Sequence, residues 1–214
     1  MTVIALWFVL AVSTALCIYS WVVLPSLASK RLNESMAAFS KAIELRFPSR
    51  QGLSSEAVAL CRLVGKQMKL GRSSLLDLEM ACWLRDVGLC STPYQLLNCK
   101  PRSSWTMEEE GLYRQHTLDG SAMLEQVPAL RHLSQIVLHY EADYSPLHDI
   151  PVEARVLKVV TTFLWHSQLV GDEEAAQKLD SQLGQTLDPR VVQALVEVLR
   201  SHHGTDFRTA KALA

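Results

Sequence analysis

SSEAVALCRLVGKQMKLGRSSLLDLEMACWL, residues 54–84, is the stretch whose reading decides the fold. Ser54 or Ser55 can cap a helix that carries Val58, Leu60, Cys61, Leu63 and Val64. Ser73 or Ser74 can cap a second that carries Leu75, Leu76, Leu78, Met80, Trp83 and Leu84. Hydroxyl side chains suit that position because they accept from the first unpaired backbone N–H groups. Two apolar helices in succession, joined by a short polar link, predict a helical domain.

The pattern continues toward the C-terminus. Residues 89–104 are irregular, with Pro93 and Pro101. Thr106, followed by Glu108, Glu109 and Glu110, starts another helix, since carboxylates favour the positive end of the helix dipole. Further helices are predicted over 129–142, 152–170, 172–183 and 189–200, with Pro146 and Pro151 marking a loop. No stretch alternates convincingly with period two, so the expected class is all-α.

Toward the N-terminus, Phe47 to Gly52 forms a break, preceded by a helix over 28–47. There Leu32, Met36, Phe39 and Ile43 fall on one stripe, a candidate face for a homodimer or for packing on the chain's own domain. Residues 3–24, VIALWFVLAVSTALCIYSWVVL, carry no charge. Roughly 20 residues at a rise of about 1.5 Å span a hydrocarbon core. Trp7 at one end and Trp21 at the other suit the two interfaces, and Pro25 is expected to end the helix. A cleaved signal peptide competes with this reading. Against it, the segment has no basic start and an apolar run longer than usual. Lys30, Arg31, Lys41, Arg46 and Arg50 all follow the span. The positive-inside rule then predicts a single-pass inner-membrane protein with its C-terminal domain in the cytoplasm.

The 214 residues carry 21 basic and 22 acidic side chains. So balanced a charge gives no reason to expect a nucleic-acid polymer as partner. The five cysteines are odd in number and lack zinc-ribbon spacing, which predicts free, mostly buried thiols.

Six blocks in fixed order then carry a resemblance. Trp83-Leu84-Arg85-Asp86-Val87-Gly88-Leu89 resembles an HD-x-G-K signature. Lys100-Pro101, Trp105-Thr106-Met107-Glu108-Glu109-Glu110 and Gln115-His116 with Gly120 resemble a K-P, T-x-E-E, H-x-x-x-G block. Leu138-His139-Tyr140-Glu141 is similar to H-H-E. Ile150-Pro151-Val152-Glu153-Ala154-Arg155-Val156-Leu157 matches I-P-x-E-A-R-I-L, and Gly184-Gln185-Thr186-Leu187-Asp188-Pro189 resembles G-T-x-F-D-P. Together they resemble the HD-GYP domain family. The resemblance implies a helical domain over 50–201, a tail over 202–214, and two or three iron or manganese ions that activate water to cut cyclic di-GMP.

Set against the family pattern, the ligand positions are depleted. Asp86 fits the Asp of the HD pair, His116 the downstream His, His139 the first His of H-H, and Glu141 the acid after it. The other positions have changed: Ser54 and Arg85 stand where histidines belong, Tyr140 replaces the second His, Thr161 an Asp, and Leu89 the signature Lys. A pair of octahedral ions needs more ligands than remain, and the permanent charge of Arg85 opposes a dication. The expectation is a membrane-anchored regulatory or interaction module with no functional catalytic residues and no cofactor. Two alternatives stay open. One is a single iron or manganese on Asp86, His116 and His139 supporting residual phosphodiesterase activity. The other is a receptor that binds cyclic di-GMP without cutting it.

Overall fold

The computed structural model describes residues 2–47, 52–147 and 149–202. Among these residues the chain is helical and has no strand, apart from one isolated bridge between Leu183 and Leu187. It divides into two compact units, Met1–Met36 and Ala37–Ala214.

The first unit holds α1 (Thr2–Ile18), a π-helical turn (Tyr19–Val23), and the start of α2 (Leu24–Arg46). Among the described residues, one helix near the N-terminus is long and apolar enough to cross a membrane. Trp7 and Trp21 both stand exposed on it. Pro25 does not end the helix as the sequence suggested. The Leu24 N–H reaches back five residues to the Tyr19 carbonyl, so one wider turn precedes the proline. A π-turn at this point re-routes the backbone where the proline ring and its missing N–H would break the ordinary ladder.

The second unit is a bundle. It contains α3 (Leu53–Gln67), α4 (Arg72–Leu84), a 3₁₀ turn (Val87–Cys90) and α5 (Tyr94–Asn98). There follow α6 (Met107–Glu125), α7 (Ser134–His139), α8 (Val152–Val170), α9 (Asp172–Asp180) and α10 (Pro189–His202). Helix α3 packs on α4, α8 and α10, while α6 packs on α7 and on the 3₁₀ turn. Leu60, Val64, Leu78, Leu157, Phe163 and Leu195 are fully buried between them. Each such side chain contributes roughly 1.5–3 kcal/mol relative to exposure.

Two helix starts differ from expectation. Helix α3 begins at Leu53, with Gly52 at its N-cap in the left-handed region (φ 82°). Its unpaired amides are met from another helix: the buried Glu44 carboxylate accepts from the Gly52 N–H at 3.1 Å and the Ser54 N–H at 2.8 Å. A carboxylate there also complements the helix dipole. Ser54 is therefore free to act within the helix. Helix α4 begins at Arg72, with Gly71 rather than a serine at its cap. The stripe on α2 does not act as one face. Met36 and Ile43 are buried, while Leu32 and Phe39 are exposed. Ile43 joins Phe47, Val87, Leu89 and Tyr113 in a cluster within the domain.

Candidate functional site

Helices α3 and α4 end a buried polar path at Arg85. This side chain is 4% exposed, so its five N–H donors must find acceptors inside the protein. Nη1 donates to the Cys82 carbonyl at 2.9 Å and lies 3.5 Å from the Cys82 sulfur. Nη2 donates to Ser54 Oγ at 3.3 Å and pairs with Asp86 Oδ2 at 3.1 Å. Three positions of the family's ligand pattern, Ser54, Arg85 and Asp86, thus satisfy one another.

The next two do the same. His116 is fully buried on α6. Its Nδ1 faces the Tyr113 carbonyl at 2.5 Å, which fixes the ring proton on that nitrogen because a carbonyl only accepts. Nε2 is then a bare lone pair, and it meets the Tyr140 hydroxyl at 2.6 Å. That lone pair is the one a metal ion needs, so the phenol occupies the coordination direction of the imidazole. Tyr113 continues the chain by donating to Glu141 Oε1 at 3.0 Å.

Of the remaining positions, Thr161 lines the same cavity as Arg85 and Asp86, described below, while His139 and Leu89 do not. His139, half-buried at the end of α7, precedes Tyr140 by one residue and so points about 100° away from it around the helix. Thr161 Oγ1 turns back onto the carbonyls of Leu157 and Lys158. Leu89 is fully buried in the cluster with Ile43, Phe47 and Tyr113.

Among the described residues no group of three or more His, Cys, Asp or Glu is placed to hold a metal ion. Asp86, His116 and His139 are therefore not assembled as the single-ion site the sequence left open. The donor chemistry agrees. Asp86 is engaged by a permanent cation, His116 has both nitrogens in use, and a guanidinium beside the carboxylate repels a dication. The residues present do not fit the metal.

Arg85, Asp86, Tyr113, Tyr140 and Glu141 open onto a cavity of about 640 Å³, which the fully buried His116 does not line. Arg85, Lys100 and Arg102 supply cations to its wall, and Trp105, Tyr113 and Trp165 supply aromatic faces. Each cation already has a carboxylate: Asp86 for Arg85, Glu109 at 2.6 Å for Lys100, and Glu110 at 2.6 Å for Arg102. Glu141 adds another acid to the lining. Burial works against the Arg102 charge, but the Glu110 hydrogen bond together with the charges of Tyr113, Glu110 and Glu141 outweighs it and raises the guanidinium's pKa. Arg102 also lies over the rings of Tyr113 at 4.5 Å and Trp105 at 5.6 Å. His166 stands on the same wall, its pKa pushed down by burial and by Lys178. Trp165, on α8, is exposed and lines the cavity. Arg62, Lys66, Lys69 and Arg72, the basic residues of the α3–α4 region, do not line it.

Sequence reading missed the aromatic wall because Trp105, Tyr113 and Trp165 lie on three separate segments, and no local pattern links them. His148 and His203 lie outside the described residues. The cysteines are all free, as expected, but only Cys61 and Cys82 are buried; Cys17, Cys90 and Cys99 are exposed.

The family model described as HD domain matches residues 37–191. The chain belongs to the HD domain family. Among solved structures, this HD domain is similar to a cyclic GMP-AMP-specific phosphodiesterase from V. cholerae, with a TM-score of 0.63 and 16% sequence identity. The likeness covers 83% of this chain and 50% of that one, so the HD protein spans about half the length of that structure. No curated protein matches the chain. The all-α fold and the phosphohydrolase-like character of the domain follow from the family.

Proposed function

We propose that this chain is a membrane-anchored, HD-GYP-like pseudoenzyme that works as a regulatory or interaction module in cyclic-dinucleotide signalling. The observation that carries this reading is the closure of the ligand positions upon themselves. Arg85 holds Asp86 and Ser54, and Tyr140 holds His116. A two-metal centre lowers the pKa of bound water and neutralises the charge that builds on a phosphate. A guanidinium cannot ionise water, and a phenol on Nε2 leaves the imidazole no lone pair for a metal. Residues 3–24 serve as the anchor, with the domain on the cytoplasmic side, on the strength of their length and apolarity and of the basic residues that follow.

A non-hydrolysing nucleotide receptor is the second reading, favoured by the aromatic wall of the cavity. Paired cations argue against it. The lining charges are already balanced by carboxylates, so a phosphodiester gains little Coulomb attraction there.

The test uses the full chain purified in detergent without chelator, beside an active HD phosphodiesterase treated identically. Iron and manganese content should fall far below one per chain. Cyclic di-GMP and cyclic GMP-AMP should be neither linearised nor bound at micromolar concentration. Two ions per chain with linear product would overturn the proposal, while tight binding without turnover would select the receptor.

A further inference from the structure

One flank of α1 and of the π-turn after it is concave. Phe8, Ser13, Leu16, Cys17, Ser20 and Trp21 line a groove of about 500 Å³, where the short side chains of Ser13, Cys17 and Ser20 leave room. No part of this apolar helix is buried within the chain.

The hydroxyls in the groove differ from their neighbours. Thr14, Ser26, Ser29 and Ser35 each donate to a carbonyl one turn back on their own helix. Among the described residues, the hydroxyls of Ser13 and Ser20 have no such partner. The backbone of Ser20 adds a bare acceptor. The Leu24 N–H that an α-helix would give to the Ser20 carbonyl goes to Tyr19 instead, and the next residue, Pro25, has no N–H. A hydrocarbon core holds no water to satisfy these groups.

We propose that α1 is a dimerisation helix whose groove receives the same face of a second copy of this chain, running parallel. The inference rests on the membrane anchoring of residues 3–24 proposed above. A lipid tail neither donates nor accepts a hydrogen bond, so lipid against the groove leaves the hydroxyls and the Ser20 carbonyl bare. A hydroxyl does both, so the face is complementary to itself, as a two-fold interface requires. Copies inserted in one orientation lie parallel, which sets each groove residue beside its own counterpart. Apolar burial does not drive helices together in lipid; short side chains that admit a close backbone, and hydroxyls that bond across, do. Val9, Ser13, Leu16 and Ser20 recur at spacings of four, three and four, the pattern of a helix–helix seam.

The experiment uses the full chain in the membranes of the cells that express it, with the exposed Cys90 and Cys99 replaced by serine. Membranes are washed at alkaline pH, oxidised with copper phenanthroline and run on a gel without reductant. The chain should stay in the washed pellet; its release overturns the anchor and the dimer together. A pelleted chain should link to itself through Cys17, giving a band at twice the monomer mass that reductant reverses and Cys17→Ser removes. In the Cys17→Ser background, Ser13→Cys or Ser20→Cys should restore that band. Ala15→Cys and Ile18→Cys, on the opposite side of the helix, should link severalfold less. Ser13→Leu with Ser20→Leu fills the groove and should lower linking at Cys17 by about tenfold. The dimer alone is overturned if the pelleted chain stays monomeric, links only to a protein of another mass, or links at Cys17 no better than Ala15→Cys does. The first readout leaves α1 unaltered, so it stands whatever the groove variants do to insertion.

Discussion

Two sets of motif residues lie side by side in this domain, and they behave in opposite ways. The scaffold set still performs the contacts its residue types are suited to. Gly88 and Gly120 let the 3₁₀ turn and α6 touch backbone to backbone, where a Cβ on Gly88 would fall 1.9 Å from the His116 carbonyl oxygen. Thr106 and Glu109 form a reciprocal capping box, and Lys100 braces Glu109. Arg155 reaches the fully buried Asp188 at 2.8 Å, with Arg190 on the same carboxylate. The pocket set instead contains residues that cannot ligate a metal, and these neutralise the ones that can. The difference teaches that a signature mixes two kinds of constraint. The constraint of chain packing is met here, while the electronic demand for open lone pairs is not.

The comparison breaks first if the scaffold set is dispensable. Gly88→Ala should cost on the order of 5 kcal/mol, the exceptional end of single substitutions, because the added carbon meets backbone rather than a side chain that can swing away. Urea unfolding of the full chain in detergent would measure it, and a loss below about 1 kcal/mol would erase the distinction. Next comes the pocket. Arg85→Ala leaves the buried Asp86 carboxylate without its guanidinium and should cost about 3–5 kcal/mol. Replacing both, as Arg85→Met with Asp86→Leu, should recover most of that loss, since a well-packed apolar pair avoids the desolvation of two charges. No recovery would mean that the ion pair does more than neutralise itself.

Smaller effects sharpen the boundary between the sets. Tyr140→Phe strips the hydroxyl from His116 Nε2 and should cost about 1–2 kcal/mol, the penalty of a buried acceptor left bare. It should also raise zinc or manganese uptake measurably above the parent, since it bares the His116 Nε2 lone pair. Thr106→Ala removes one side of the capping box and should cost about 1 kcal/mol.

What was legible in the sequence follows the reach of each interaction. The capping box at Thr106 and the helix over Val152–Val170 were readable because their signals lie within a few residues of one another. The start of α3 was not, because its cap is Glu44, ten residues upstream of Ser54 on another helix. Pro25 misled because a π-turn offers the helix a way past a proline that local rules do not encode. In the site, a pairing of Arg85 with Asp86 could be foreseen from adjacency alone. The Tyr140 hydroxyl on His116 could not, since the residues are 24 apart and only the packing of α6 on α7 brings them together.

The cap that Glu44 provides has a mechanical side. Its two bonds to Gly52 and Ser54, with Ile43 and Phe47 packed beside Leu89 and Tyr113, tie the end of α2 to the bundle in two places. The end of α2 and the first turn of α3 thus share one carboxylate, and the serine that Arg85 grips sits on that same turn.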